Sequence, residues 1–326
     1  MSVDDHVVGL AWSPDGTVAA VGAVGGRLLV VARDSGAVLW QRDGHAFGLG
    51  SLDWHPRRPW IATGGQDGRV RIWDVTTSEV VCDLDAGAAW VERVCWSGTG
   101  AHLAGAAGRG VRLWNEAGEL VREWPTHRAT VTDVRWQPER DLLCSTSYGG
   151  VTLLDPGEAT PVRVFAWQGS SLVARWSPNG RYIATGEQDA SVHFWIVASG
   201  KDLQMTGYPM KVRELSWSAS SRYLATGGGH EAAVWDCSGR GPANTAPVIL
   251  PGHERRVSAV EFQREGPLLA TGGEDGRVVM WRPGASQVLR GAAGLLQPVS
   301  QLAWAPDDRD LLVGCASGDV VLLRRP

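Results

Sequence analysis

The chain has 326 residues, of which 44% are hydrophobic and 20% are charged, and its formal net charge is −4. This composition is typical of a globular protein with enough apolar material for a core. A negative chain has no general attraction to nucleic acid, which requires a surplus of clustered Lys and Arg, so we expect no nucleic acid as a partner.

The N-terminal sequence and the cysteines bear on cellular location. Met1 to His6 lacks the basic-then-apolar order of a secretory signal, and no apolar run reaches membrane-spanning length. The five cysteines are odd in number and no two have Cys-x-x-Cys spacing, which argues against a disulfide framework or a zinc site. We therefore expect a cytoplasmic protein with no membrane contact, no cofactor and no metal.

A unit of about 40 residues recurs along the whole chain. In copy two, an alternating strand ends at Trp54, a second strand follows, and an Asp67-Gly68 hairpin leads to a third strand ending at Trp73. The aromatic residues that open the eight copies are Trp12, Trp54, Trp96, Trp136, Trp176, Trp217, Phe262 and Trp304. Successive spacings of 42, 42, 40, 40, 41, 45 and 42 residues are typical of a β-propeller.

The strand pattern predicts an all-β, eight-bladed propeller forming a single domain over residues 1–326. Each blade is expected to have four antiparallel strands, the first with a bulge near its start. Fourth strands follow the first seven copies, whereas the eighth ends after Val320-Val321-Leu322-Leu323, so the last blade should have three strands. We expect Arg324-Arg325-Pro326 to blunt its open edge and keep the protein monomeric. The alternative is strand addition there by a partner or a second copy.

This pattern resembles the WD-repeat family over residues 6 to 324. Gly-His precedes the first strand at Gly44-His45 and Gly252-His253, and Trp-Asp closes the third strand at Trp73-Asp74 and Trp235-Asp236. The resemblance implies a ring of blades with no active site of its own. We therefore interpret the chain as a non-catalytic interaction scaffold for other proteins or peptides.

Two copies carry residue types that resemble the family's buried, hydrogen-bonded tetrad, whose chained bonds would satisfy buried polar groups. The two sets are His45, Thr63, Asp67 and Trp73 in copy two, and His253, Thr271, Asp275 and Trp281 in copy seven. The same residue types make up hydrolytic triads, but their recurrence in several copies favours a structural role. Replacing Asp67 or Asp275 should therefore destabilise the fold, whereas Asp307 and Asp308, in an exposed turn, should be nearly neutral.

The resemblance also implies a partner surface on the narrow face around a central channel. Transferred position by position, the candidate contact residues are Gln66, Trp90, Glu92, Gln188, Lys211, Arg213, Arg255, Arg256 and Glu274. Arginine beside aromatic side chains is typical of a protein-binding hot spot, and arginine clusters also suit acidic or phosphorylated motifs. The alternative is a solvated rim of ordinary charges.

Two other functional classes remain as alternatives. A propeller-borne enzyme would need a metal or nucleophile cluster, but the eight His are spread along the chain without His-x-His or Glu-x-x-His spacing. A nucleic-acid or phosphopeptide-binding module is the second alternative, although no glycine-rich phosphate loop joins a strand to a helix.

Overall fold

The computed structural model describes residues 1–125, 127–239, 241–243 and 245–324, and all regular elements within them are β-strands. The all-β prediction is therefore confirmed for this part of the chain. The chain divides into two compact units, Met1–Ser171 (unit 1) and Leu172–Pro326 (unit 2), and each is described by itself. The expectation of a single domain stays a prediction.

Unit 1 begins with three four-stranded sheets, each formed by one sequence copy with its strands in chain order. The first sheet contains β1 (Val7–Trp12), β2 (Val18–Ala23), β3 (Arg27–Ala32) and β4 (Val38–Asp43). The second contains β5 (Leu49–Trp54), β6 (Trp60–Gly65), β7 (Arg69–Asp74) and β8 (Glu79–Asp85). The third contains β9 (Val91–Trp96), β10 (His102–Ala107), β11 (Gly110–Asn115) and β12 (Leu120–Trp124).

Copies four and five share one six-stranded sheet. Its strands are β13 (Asp133–Trp136), β14 (Leu143–Leu154), β15 (Arg163–Trp176), β16 (Tyr182–Glu187), β17 (Val192–Ile196) and β18 (Lys201–Met205). The long strands β14 and β15 have 12 and 14 residues. β14 contains the second and third strands of copy four, and β15 joins the fourth strand of copy four to the first strand of copy five.

Unit 2 continues with two four-stranded sheets and a final sheet of three strands. The strands of the first sheet are β19 (Leu215–Trp217), β20 (Tyr223–Thr226), β21 (Ala232–Asp236) and β22 (Val248–Leu250). The next sheet contains β23 (Val257–Phe262), β24 (Leu269–Gly273), β25 (Arg277–Trp281) and β26 (Leu289–Gly294). The last contains β27 (Val299–Trp304), β28 (Asp310–Cys315) and β29 (Val320–Arg324).

The prediction of eight blades is wrong, because the described strands form seven hydrogen-bonded sheets and the propeller therefore has seven blades. The eight sequence copies do not form eight sheets, because copies four and five share one sheet. β15 carries the chain from copy four into copy five without a loop. In β14, Gly149 and Gly150 both have φ of 110° and take the place of the Asp-Gly hairpin. The three-stranded last blade is confirmed, and of the segment predicted to blunt its edge, Arg325 and Pro326 lie outside the described residues.

The predicted bulge near the start of the first strands is confirmed for most copies, whereas β13 and β19 pair with the next strand without a register shift. In β1 the register against β2 shifts between Val7 and Gly9, and equivalent shifts occur in β5, β23 and β27. The extra residue lets side chains on both sides of the bulge turn toward the core. The core itself lies between neighbouring sheets, where Trp73 of copy two packs against Leu28 and Val30 of copy one.

The turn before β28 has a role that the sequence did not predict. The Asp308 carboxylate accepts hydrogen bonds from the backbone N–H groups of Arg264, Glu265 and Gly266 at 2.8–2.9 Å. Asp308 therefore joins the first turn of copy seven to that of copy eight and is no ordinary surface residue. Asp307, beside it, is exposed, and its carboxylate accepts the N–H of Arg309 within the same turn.

Candidate functional site

The structure brings the four predicted residues of copy two into one hydrogen-bonded chain. Trp73 Nε1 donates to Thr63 Oγ1 at 2.9 Å, and Thr63 Oγ1 lies 2.7 Å from His45 Nε2. His45 Nδ1 in turn lies 2.9 Å from Asp67 Oδ1. The Thr63 hydroxyl is fully buried and engaged on both sides, so it is not available as a nucleophile.

Copy seven repeats this arrangement with nearly the same distances. Trp281 Nε1 donates to Thr271 Oγ1 at 2.9 Å, and Thr271 Oγ1 lies 2.8 Å from His253 Nε2. His253 Nδ1 lies 3.1 Å from Asp275 Oδ1. Each predicted set is therefore one connected group in the structure.

The ionisation of the copy-two tetrad follows from burial and hydrogen bonding. Burial lowers the pKa of His45, which favours the neutral ring that accepts from Thr63 and donates to Asp67. Burial alone would raise the pKa of Asp67, but hydrogen bonds from His45 and Arg71 bring it below the ordinary value of 3.8. With His45 neutral and Asp67 ionised, each hydrogen-bond donor in the tetrad faces an acceptor.

The tetrads also anchor the loops that precede the first strands. Asp67 Oδ2 accepts the N–H of Ala46 at 3.3 Å, and Asp275 Oδ2 accepts the N–H of Glu254 at 2.8 Å. These loops lie beside the hairpins between second and third strands. We call this end of the sheets the hairpin end. Side chains on these loops are therefore presented from a fixed backbone.

At the hairpin end of unit 1, backbone hydrogen bonds connect neighbouring loops and hairpins: Leu49 N donates to Val24 O, and Gln66 N donates to Gly48 O. Four apolar side chains are exposed on the loops and hairpins at this end of the unit 1 sheets, and we call them the aromatic crescent. They are Val24, Phe47, Trp90 and Tyr148, with exposed fractions of 39%, 84%, 59% and 53%.

Of the crescent, sequence reasoning identified Trp90 alone. Phe47 was missed because the transferred position fell on the next residue, Gly48, although Phe47 follows the tetrad residue His45 by two positions. Gln66 and Glu92, which the sequence also proposed, are half-buried. Gln66 packs against Gly48, where an added Cβ would lie 3.0 Å from the Gln66 amide carbon. The apolar side chains thus dominate this surface more than the sequence predicted.

The hairpin end of unit 2 exposes charged side chains together with the apolar side chains of Met210 and Leu296, which are 42% and 100% exposed. Four of the predicted contact residues there are exposed, namely Gln188, Arg213, Arg255 and Glu274, and Lys211 is half-buried. Arg256 differs, because its Nη2 donates to Glu214 Oε1 at 2.6 Å. Burial raises the pKa of Glu214 and the charge of Arg256 partly offsets that effect. Arg256 therefore stabilises a buried carboxylate, which leaves Arg213 and Arg255 as the exposed arginines of the predicted cluster.

A buried charge cluster in unit 1 was not predicted. Arg93 Nε and Arg135 Nε lie 2.9 and 3.2 Å from Asp133 Oδ1, and the Asp133 side chain is fully buried. Nearby, Asp53 Oδ2 accepts the N–H of Trp96 at 2.7 Å, and burial raises the pKa of Asp53 to about 6. The sequence feature that could have revealed this cluster is the presence of charged residues in first strands that otherwise carry apolar residues.

Among the described residues, no group of three or more His, Cys, Asp or Glu is placed to hold a metal ion. The described part of the chain also has no helix long and apolar enough to cross a membrane. All five cysteines have free thiols, and four of them are buried.

The sheets, the strand order and the tetrads define the class: the protein is a β-propeller built from sequence repeats. The family model for "WD domain, G-beta repeat" matches residues 36–74, 118–153, 160–195 and 245–282. The WD repeat-containing protein slp1 of Schizosaccharomyces pombe (strain 972 / ATCC 24843) is 24% identical over 283 residues, which cover 85% of this chain and 50% of slp1. The chain thus spans about half the length of that relative.

A solved structure gives the same fold. The crystal structure of the computationally designed Ika8 protein superposes with a TM-score of 0.85 at 20% identity and covers 99% of this chain and 98% of Ika8. At this identity the likeness shows the fold alone. Together with the matched repeats it confirms the resemblance seen in the sequence: the chain is a β-propeller that contains WD repeats.

Proposed function

We propose that this WD-repeat propeller is a non-catalytic scaffold that binds other proteins, with the aromatic crescent of unit 1 as its main contact surface. The observation that carries the proposal is the exposure of Phe47, Trp90 and Tyr148 on loops and hairpins at one end of the sheets. Aromatic side chains are enriched in protein interfaces and supply much of their binding energy.

The fixed backbone beneath these rings supports the proposal. Phe47 lies on a loop anchored by the tetrad of Asp67, so little backbone conformational entropy would be lost on binding. Exposed aliphatic side chains also occur on the outer strands, for example Leu39 and Leu120 at 53% and 52%. Scattered aliphatic exposure is ordinary for a protein surface and needs no functional explanation.

The absence of catalysis is part of the proposal. The hydroxyls of Thr63 and Thr271 are the nucleophile candidates of the complete tetrads, and both are fully buried in hydrogen bonds. A recurring, buried His-Asp pair fits a structural role better than an acid-base role at a cleft.

A second candidate rests on the charged side chains at the hairpin end of unit 2. Exposed Arg213 and Arg255 favour an acidic or phosphorylated peptide motif, since guanidinium groups bind such groups through paired hydrogen bonds. This surface is a second candidate contact site, within unit 2. We also propose that the protein is a monomer. We propose the cytoplasm as its location, because five free thiols suit a reducing compartment.

Affinity purification with quantitative mass spectrometry tests the proposal. We compare the wild type with the double variant Phe47→Ala/Trp90→Ala and with Leu39→Ala, which removes a similarly exposed side chain from an outer strand. A partner should be depleted at least roughly tenfold with the double variant and retained with Leu39→Ala. Equal recovery with all three proteins, each with unchanged melting temperature, would contradict the proposal.

A further inference from the structure

An apolar groove of about 750 Å³ lies in unit 2 between the outer strand β26 of copy seven and the three-stranded sheet of copy eight. Its apolar lining includes Leu268, Met280, Trp304, Leu311 and Leu323. This volume lies within the range of ordinary ligand sites in proteins.

The groove exists because β26 carries small residues where other outer strands carry large ones. In copies two and five, Cys82 and Leu203 stand opposite the equivalents of Met280, whereas Gly291 stands opposite Met280 itself. A Cβ built on Gly291 would meet nothing within 4 Å. The opening is therefore encoded by side-chain size in this one strand.

The next inward-facing position of β26 also carries a small residue. In copy three, Trp124 stands opposite Val111 and is fully buried. In copy seven, Ala293 stands opposite Val278. The small residues at two consecutive inward positions of β26 thus leave space beside Leu323 and Met280, which are partly exposed.

The rim of the groove is strongly basic. Four arginines line it, namely Arg282, Arg290, Arg309 and Arg324, and no Asp or Glu is among the lining residues. All four are exposed, and within the described part of the chain the guanidinium groups of Arg282, Arg290 and Arg309 form no hydrogen bond or ion pair. Since the whole chain has a formal charge of −4, this local positive charge is a property of the groove and not of the surface in general.

The neighbouring strand favours an extended peptide as the occupant. β29 pairs with β28 and is the edge strand of its sheet among the described strands. Leu323 of β29 lines the groove, and residues opposite one another on paired strands share a face of the sheet. A segment paired beside Leu323 would therefore direct alternate side chains into the groove.

We propose that this groove binds an extended segment of a partner protein in which acidic and apolar residues alternate. The apolar side chains occupy the space beside Gly291 and Ala293, and the carboxylates bind Arg282, Arg290 and Arg309. This surface is separate from the aromatic crescent, so the inference does not rest on the proposed function.

Fluorescence anisotropy with labelled eight-residue peptides tests the inference. The probe alternates Glu and Leu, and two comparison peptides alternate Lys with Leu and Glu with Ser. The wild type should bind the Glu-Leu peptide saturably and at least roughly tenfold more tightly than either comparison peptide. No saturable binding of the Glu-Leu peptide, or equal binding of the Glu-Ser peptide, would overturn the inference.

Matched variants locate the binding. Gly291→Leu fills the groove, whereas Gly294→Leu adds the same side chain at a position that is equally open but outside the groove. The first variant and the double variant Arg290→Glu/Arg309→Glu should each weaken Glu-Leu binding at least roughly tenfold, while Gly294→Leu and Phe47→Ala/Trp90→Ala should bind like the wild type. Wild-type binding by Gly291→Leu would overturn the proposal.

Two further outcomes would assign the groove to another occupant and likewise overturn the inference. One is co-sedimentation with phosphatidylglycerol vesicles that Arg290→Glu/Arg309→Glu abolishes. The other is a dimer, detected by light scattering across concentration, that Gly291→Leu converts to a monomer.

Discussion

The two complete tetrads hold loops of opposite chemistry. In copy two the anchored loop exposes Phe47, whereas the equivalent loop of copy seven exposes Glu254 and Arg255. The tetrads beneath them have nearly the same hydrogen-bond distances. The residues that fix a loop can therefore vary independently of the residues that the loop exposes. We expect stability and binding to respond to different substitutions.

Buried charge also distinguishes the two units. Unit 1 contains the cluster of Arg93, Asp133 and Arg135 with Asp53 nearby, whereas unit 2 contains the pair of Glu214 and Arg256. Asp133 is compensated by Arg93 of the neighbouring strand β9 and by Arg135 of its own strand β13, whereas Glu214, just before β19, is compensated by Arg256, just before β23. Such groups are costly to separate, because removing one partner leaves the other charged and buried.

The largest effect is expected for the pH dependence that Asp53 gives to unit 1. Its folded pKa of about 6 is above the ordinary value of 3.8, so the folded state retains a proton that the unfolded state has lost. The free energy of unfolding should therefore fall as the pH rises from about 4 to about 6, by at most about 1.4 kcal/mol per pH unit. Chemical unfolding of wild type and Asp53→Asn across this range should show the fall in the wild type alone, and parallel curves would contradict the assignment.

The next effect compares the two tetrads directly. Asp67→Ala and Asp275→Ala should each lower the free energy of unfolding by about 1–3 kcal/mol, because each leaves a buried His N–H without its acceptor. Melting temperatures measured by circular dichroism should drop to a similar degree for both variants. A drop in one variant and none in the other would show that the two tetrads are not equivalent.

A smaller effect is expected at the turn before β28. Asp308→Ala removes the acceptor of three backbone N–H groups in the first turn of copy seven and should cost about 1 kcal/mol. Asp307→Ala is the matched control, since Asp307 is exposed and bonds within its own turn. Its effect should stay within about 0.5 kcal/mol. Equal melting temperatures for the two variants would argue against a role for Asp308 in joining the copies.

The smallest effect on stability is expected in the crescent and at its charged counterpart. Phe47→Ala, Trp90→Ala, Arg213→Glu and Arg255→Glu all change exposed side chains and should alter the free energy of unfolding by no more than about 0.5 kcal/mol each. Denaturant titration checks this. A loss above about 1 kcal/mol at Trp90 would mean that its ring supports the fold instead of serving as a contact.

The repeat spacing and turn chemistry were sufficient to predict the strands, the bulges, the members of each tetrad and the three-stranded last blade. The number of sheets was not predictable, because nothing in the repeat spacing indicates that β15 runs through residues 167–170 without a break. Phe47 and the cluster around Asp133 were missed for a related reason. Their roles depend on which neighbouring strands lie beside them, and a residue pattern within one copy does not contain that information.

If partner proteins contact the aromatic crescent, oxidative footprinting of an isolated complex should show protection of its side chains. Hydroxyl radicals modify exposed aromatic, sulfur-containing and larger aliphatic side chains, leucine included, and mass spectrometry reports each site. We expect partner binding to protect Phe47, Trp90 and Tyr148 from oxidation. Leu39 on an outer strand and the fully exposed Leu296 of unit 2 should remain as reactive as in the free protein. Protection of Leu296 or Leu39 with an unchanged crescent would contradict the account.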